Sequence, residues 1–187
     1  MLDKVENWIA SQLNYNSPET DSSGQLASQK MYAIVDGSRQ PMIIPAALEA
    51  MASRVSCLYS GGALSELGDN AAWVVELLPG ESTLRWLLEH GFEKRWFIFA
   101  SSDLGLESFV RHLKKFTVVK NERGETLFFR FYDPHVLRQY LPMFSDQQRV
   151  SFFKNVTKVF FEDTTQRSKI VQFSLSDTNR LLQTTAM

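Results

Sequence analysis

Few residues of this chain could do covalent chemistry, and the first to weigh is a serine pair. "FASSDLG" sets Ser101 and Ser102 between an apolar strand and a helix, where a hydrolase would carry its nucleophile. Such chemistry needs a hydroxyl on a strained turn, a base to take its proton, and a group that orients the base. The Gly-x-Ser-x-Gly frame that permits the strained turn is missing. His112 or His135 could be imagined as the base, but helix capping by Ser102 or Asp103 accounts for the same residues without a reaction. A small serine-type hydrolase using Ser101 or Ser102 is therefore the alternative function, not the leading one.

Other site chemistries find less support. The histidines His90, His112 and His135 are far apart, and none has a second ligand three or four residues away on the same helix. "YSGGALSELGDN" has glycines but neither the Lys-Ser/Thr pair of a phosphate loop nor the spacing of a dinucleotide fingerprint. Cys57 is the single cysteine and lies in the apolar run "VSCLYS", which reads as an inert buried thiol and excludes an internal disulfide. No catalytic residue, metal or cofactor is expected.

The most unusual stretch is "FFRFYDPHVLRQYLP", residues 128–142. Read as a strand, it sends Leu127, Phe129 and Phe131 to one face and Phe128, Arg130 and Tyr132 to the other. Both faces are largely apolar, so the strand should be covered on both sides. A guanidinium there is costly unless paired, and Asp36 and Asp133 are the candidate partners. Asp133 is a favoured helix N-cap, Pro134 suits the first helical position, and Val136, Leu137, Tyr140 and Leu141 form a stripe that Pro142 ends. Asp36, Arg130, Asp133 and Pro134 thus read as a strand-to-helix corner stapled by an ion pair, with a direct binding site as the rival reading.

The elements that must position this corner follow from periodicity. Leu2, Val5, Ile9 and Leu13 recur at helical spacing, and a polar, turn-rich segment follows, so residues 1–30 read as an N-terminal helix and linker. Residues 31–144 read as the main domain. "MYAIVDG", "VSCLYS", "AAWVVELL" and "RWFIFAS" are core strands, helices lie between them, and "FTVVK-NERGE-TLFFRFY" is a hairpin turning at Gly124. Ser145 and Gln148 form a capping box that starts a new unit, 145–187, with "KVFFED" and "KIVQFSLS" as a strand pair. Strands alternating with helices, then a hairpin, imply an α/β fold: a mixed β-sheet flanked by helices, with a small C-terminal helix-plus-strand lobe. Phe152, Phe153, Phe160 and Phe161 in that lobe either close the core or form an exposed patch that anchors a partner.

Composition narrows the function classes. With 44% hydrophobic and 12% aromatic residues the chain can bury a core. A net charge of -1, with acids and bases interleaved as in "EHGFEKRW", gives no basic face for nucleic acid. "MLDKVENWIA" carries acids where an export signal needs a basic start, and "PMIIPAALEAMA" is too short to span a bilayer. A cytoplasmic protein is expected.

The corner also carries a family resemblance. Phe129, Arg130, Phe131, Tyr132, Asp133, Pro134, Val136 and Leu137 resemble the signature of the adaptor chaperones of bacterial type VI secretion effectors, with His135 standing where that signature usually has arginine. "YAIVDGSRQP", "AAWVVEL", "WFIFASSDLGLESFVRHLKKF" and "DQQRVSFFKNV" resemble further pieces of the same family in the same order. The resemblance implies a protein without enzymatic activity that binds a secreted effector in the cytoplasm and helps load it on the spike tip protein. The client surface would then be Phe152, Phe153, Phe160 and Phe161, or the neighbourhood of His135 and Arg138.

Overall fold

The computed structural model describes residues 2–13, 29–120, 123–167 and 169–186. Most of the polar segment read as a linker lies outside the described residues.

Seven strands form one sheet in the order β2-β3-β1-β4-β7-β8-β9. They are β1 (Lys30–Asp36), β2 (Val55–Cys57), β3 (Ala72–Glu76), β4 (Phe97–Ser102), β7 (Lys158–Glu162), β8 (Ile170–Leu175) and β9 (Leu181–Thr185). β5 (Val118–Lys120) and β6 (Thr126–Phe128) make a separate hairpin. Seven α-helices accompany them among the described residues: α1 (Leu2–Leu13), α2 (Ile43–Met51), α3 (Gly62–Leu67), α4 (Thr83–Gly91), α5 (Leu106–Leu113), α6 (Pro134–Tyr140) and α7 (Asp146–Phe153). The architecture is α/β, a sheet flanked by helices, as the alternation of patterns implies.

Every ladder runs antiparallel. The helical crossovers nevertheless join strands of like direction, because each skips a position. α2 carries the chain from β1 to β2 across β3, and α4 carries it from β3 to β4 across β1. The intervening strand then runs antiparallel to both neighbours. A strand–helix–strand pattern fixes the crossover but not which strand lies between its ends.

The sheet is covered on both faces, which explains why its strands are apolar at successive positions. In β1, Tyr32 and Ile34 enter one core with Ile98, Phe109, Phe131 and Phe161. Met31, Ala33 and Val35 enter the other with Ile44, Leu87, Phe99 and Phe160. α1, α2 and α4 cover the second face; α5, α6 and α7 cover the first. α1 is part of this packing rather than an appendage: Val5 and Ile9 are fully buried, Trp8 meets Phe160 edge-on, and Arg85 of α4 reaches Asp3 and Glu6.

The boundary expected at residue 144 is not a break in the fold. α7 does open with the capping box of Ser145 and Gln148, but β7 pairs directly with β4 (Phe99 opposite Phe160), so the C-terminal strands continue the main sheet. Phe152, Phe160 and Phe161 are 1% exposed and Phe153 is 9% exposed. Of the two readings left open for these phenylalanines, core closure is the one the packing realises. β4 alternates to both faces and needs a neighbour on its outer edge, and the Phe-rich strand supplies it.

Deleting residues 145–187 should therefore abolish cooperative unfolding in a circular dichroism melt. Phe161→Ala alone should cost about 3–5 kcal/mol by denaturant titration. A cooperative melt retained by the truncated chain would show that the β2-β3-β1-β4 half is autonomous.

Candidate functional site

The corner predicted around Arg130 exists, but not inside a covered strand. β6 ends at Phe128, and its three residues are exposed, as are those of β5. The chain leaves strand geometry at Phe129, so strict alternation fails. Phe129, Phe131 and Tyr132 turn inward, while the Arg130 side chain stays 42% exposed. What fixes Arg130 is its partner. Its Nη2 donates to Asp36 Oδ2 and, at 2.8 Å, to Ser38 Oγ.

Asp36 ends β1 and is fully buried. It caps the tight turn at residues 37–39, accepting from Ser38 N–H at 3.1 Å and Ser38 Oγ at 2.7 Å. Gly37 is required at this point because a Cβ would lie 2.2 Å from the Ala71 carbonyl oxygen. That close approach turns Arg39 back over the strand end, where its Nε lies 3.2 Å from Asp36 Oδ2.

Arg39 links Asp36 to the second carboxylate. Its Nη2 donates to Asp133 Oδ2 at 2.5 Å. Arg95 approaches the same carboxylate with a two-pronged fork, Nε to Oδ1 at 3.1 Å and Nη2 to Oδ2 at 2.6 Å. Asp133 also does the capping the sequence predicts, accepting from the backbone N–H groups of His135 and Val136, with Pro134 buried at the first helical position. Burial by itself would raise the Asp133 pKa. Hydrogen bonds from Arg95 and His135 N–H, with the charges of Arg95 and Arg39, hold it below the usual carboxylate range instead.

Glu162, at the end of β7, is the contrasting carboxylate of this sheet end. It accepts from Arg95 N–H at 2.6 Å, yet burial dominates and its pKa is pushed up to about 7. Next to it Asp163 pairs with Arg138 at 2.8 Å, tying α6 to the end of β7. Arg138 is thus a structural clamp, while His135 is exposed on α6.

Beside the corner lies an apolar groove of about 500 Å³. The hairpin supplies Val119, Leu127 and Phe128 as one wall, and α6 with the turn after it supplies Tyr140 and Met143 as the other. Leu127 and Phe128 are each 47% exposed, and Met143 is 72% exposed. Arg130 belongs to both features: it lines the groove with one side and holds Asp36 with its tip. Sequence reasoning missed Arg39 and Arg95 as members of the corner. Arg39 lies in the "DGSR" turn that follows Asp36, a signal that could have found it, whereas nothing local sets Arg95 apart from the mixed charge of "EHGFEKRW". The groove was missed because Leu127 and Phe128 were assigned to a covered strand.

The serine pair sits at the opposite end of the sheet, and neither serine is the cap of α5. Both residues belong to β4, and Gly105 occupies that cap. Ser102 Oγ donates to the Asn155 carbonyl at 2.6 Å and accepts from Leu104 N–H at 3.2 Å. His112 is buried with both ring nitrogens engaged: Nε2 lies 2.9 Å from the Phe152 carbonyl and Nδ1 lies 3.1 Å from Asn155 Nδ2. Burial lowers its pKa. Cys57 is half-buried rather than fully buried, and desolvation raises its thiol pKa. Among the described residues no group of three or more His, Cys, Asp or Glu side chains could hold a metal ion, and no helix is long and apolar enough to cross a membrane.

From residue 31 to residue 151 the chain matches the family described as Domain of unknown function (DUF4123). The chain belongs to that family. No curated protein and no solved structure matches it. The matched segment holds the whole Asp36–Asp133 corner and the groove. It stops inside α7, so the strands from β7 onward, which complete the sheet, lie beyond it.

Three outcomes test this electrostatic assignment. Arg130→Ala should destabilise by about 1–3 kcal/mol in denaturant titration, below the loss for a fully buried pair, since Arg39 remains on Asp36 and the guanidinium is partly solvated. Asp133→Asn should cost more, about 2–4 kcal/mol, because it unpairs two arginines at once. The two carboxylates give opposite pH slopes. The depressed Asp133 stabilises the fold above its unfolded-state pKa, and that contribution is lost as pH falls through the folded value. The raised Glu162 favours the protonated fold, so its contribution is present below pH 4.5 and is lost as pH rises to about 7. Glu162→Gln should remove that decline and leave the variant roughly 1–3 kcal/mol more stable than the parent at pH 8.

Proposed function

We propose that this protein is a cytoplasmic adaptor for a type VI secretion effector, which it binds without chemistry and helps load on the spike tip protein. The observation that carries the reading is the groove: an apolar trough into which Leu127, Phe128, Tyr140 and Met143 stand exposed together. Such patches mark interaction sites. Membership of the DUF4123 family and the ordered resemblance of five sequence pieces to effector adaptors point the same way.

The occupant that fits is an amphipathic helix of the effector. Two walls of aliphatic and aromatic side chains accept an apolar stripe at helical spacing. Arg130 at the rim, with part of its guanidinium open to solvent, favours an acidic residue beside that stripe. The rival hydrolase reading needs a serine within reach of a base. Ser102 and His112 instead spend their polar atoms on backbone carbonyls, an N–H and an asparagine.

The test is capture of a candidate type VI effector by the full chain. Leu127→Asp and Met143→Asp should each weaken it at least about tenfold with the melting temperature unchanged, since both side chains project into the groove. Unchanged capture by both variants would place the client elsewhere. Ser101→Ala should leave secretion of the effector intact, and loss of a hydrolytic activity in that variant would promote the rival.

A further inference from the structure

The two edges of the sheet are treated differently. β2 closes one side with only three residues. β9 closes the other with five, Leu181–Thr185, reading Leu-Leu-Gln-Thr-Thr, and among the described residues no strand continues the ladder beyond it. Edge strands are ordinarily blunted by charge, proline, a bulge or shortness, because their unpaired backbone groups template further pairing. β9 has no charge, no proline and no glycine, and it pairs with β8 without a bulge across all five residues.

The direction of its free groups follows from the ladder. Ala186 N–H donates to the Ile170 carbonyl and Ser176 N–H to the Arg180 carbonyl, so even-numbered residues of β9 face β8. In an antiparallel ladder the alternate residues face away. Leu181, Gln183 and Thr185 therefore present their N–H and C=O groups at the open edge, with Gln183 at the centre.

We propose that this edge pairs with the same edge of a second copy of the chain, joining the two sheets antiparallel about a twofold axis through Gln183. That register sets Gln183 opposite Gln183 of the second copy and Leu181 opposite its Thr185. All three outward residues then exchange both backbone hydrogen bonds. It is an isologous contact that closes on itself. It meets no charge conflict within the strand, and Arg180, just outside it, falls opposite Ala186 of the second copy, not opposite its own counterpart. The two Leu182 side chains become diagonal neighbours on one face, covering a residue now 46% exposed. A neutral, self-complementary strand fits its own copy better than a charged client segment, and pairing here leaves the groove open because the hairpin and α6 are separate from β9.

Sedimentation equilibrium of the full chain, from about 1 to about 100 µM, reads the association directly. The parent should move from one chain to two across that range. Gln183→Lys sets like charges opposite each other and should leave a single-chain particle with an unchanged melt, and Gln183→Glu should do the same. Mixing the two variants should restore the two-chain particle, a result that mere damage to β9 could not give. Gln183→Pro loses only an outward N–H and should also stay monomeric and folded. A parent that is monomeric at every concentration, or charge variants that associate as the parent does, would overturn the proposal.

Discussion

Asp36 and Asp133 are two carboxylates buried where β1 ends and α6 begins, and arginines reaching in from three separate turns make their burial possible. An unpaired carboxylate at such depth would lose its charge or unfold its surroundings. The folded chain answers with Arg39 between both acids, Arg130 on Asp36 and Arg95 on Asp133. Each arginine comes from a different part of the sequence, so the cluster sets the relative placement of the turn after β1, the turn before β4 and the corner before α6. Asp133 adds a second duty by capping α6, which makes the direction of that helix part of the same network.

The groove inherits its geometry from this cluster. α6 is held at its start by Asp133 and along its length by the Arg138–Asp163 pair, so the wall that carries Tyr140 is anchored at two points. The opposite wall is a short hairpin whose strand residues are all exposed. Arg130 stands where the two meet. A rigid helix facing an exposed hairpin suits recognition of a helix by shape and apolar contact, with polar groups confined to the rim. The ionised corner supplies placement, and the apolar trough supplies the area to be covered.

The sheet separates these roles in space. The ionic corner and groove occupy one end, Ser101 and Ser102 the other, and β9 one edge. The three surfaces share no residue.

Much of the local chemistry was legible in the sequence. The amphipathic α1, the capping box of α7 and the Asp133–Pro134 helix start follow from spacing and side-chain type, and each depends on neighbours within a few residues. Asp36, the partner Arg130 takes, lies 94 residues away and follows only from the need of a buried-strand guanidinium for a carboxylate. Only the tertiary structure decided what depends on distant contacts. It placed β7 against β4, which turned the phenylalanines of residues 152–161 from a possible docking patch into core. It brought Arg39 and Arg95 to Asp133 across long sequence separations, which no local charge pattern distinguishes from a solvated surface. It released β6 from the sheet, and so exposed Leu127 and Phe128, because burial is settled by which strands find partners rather than by apolar character. Spacing along a chain specifies the face an element can present, while the competition among distant elements to cover those faces decides which one is left open to a partner.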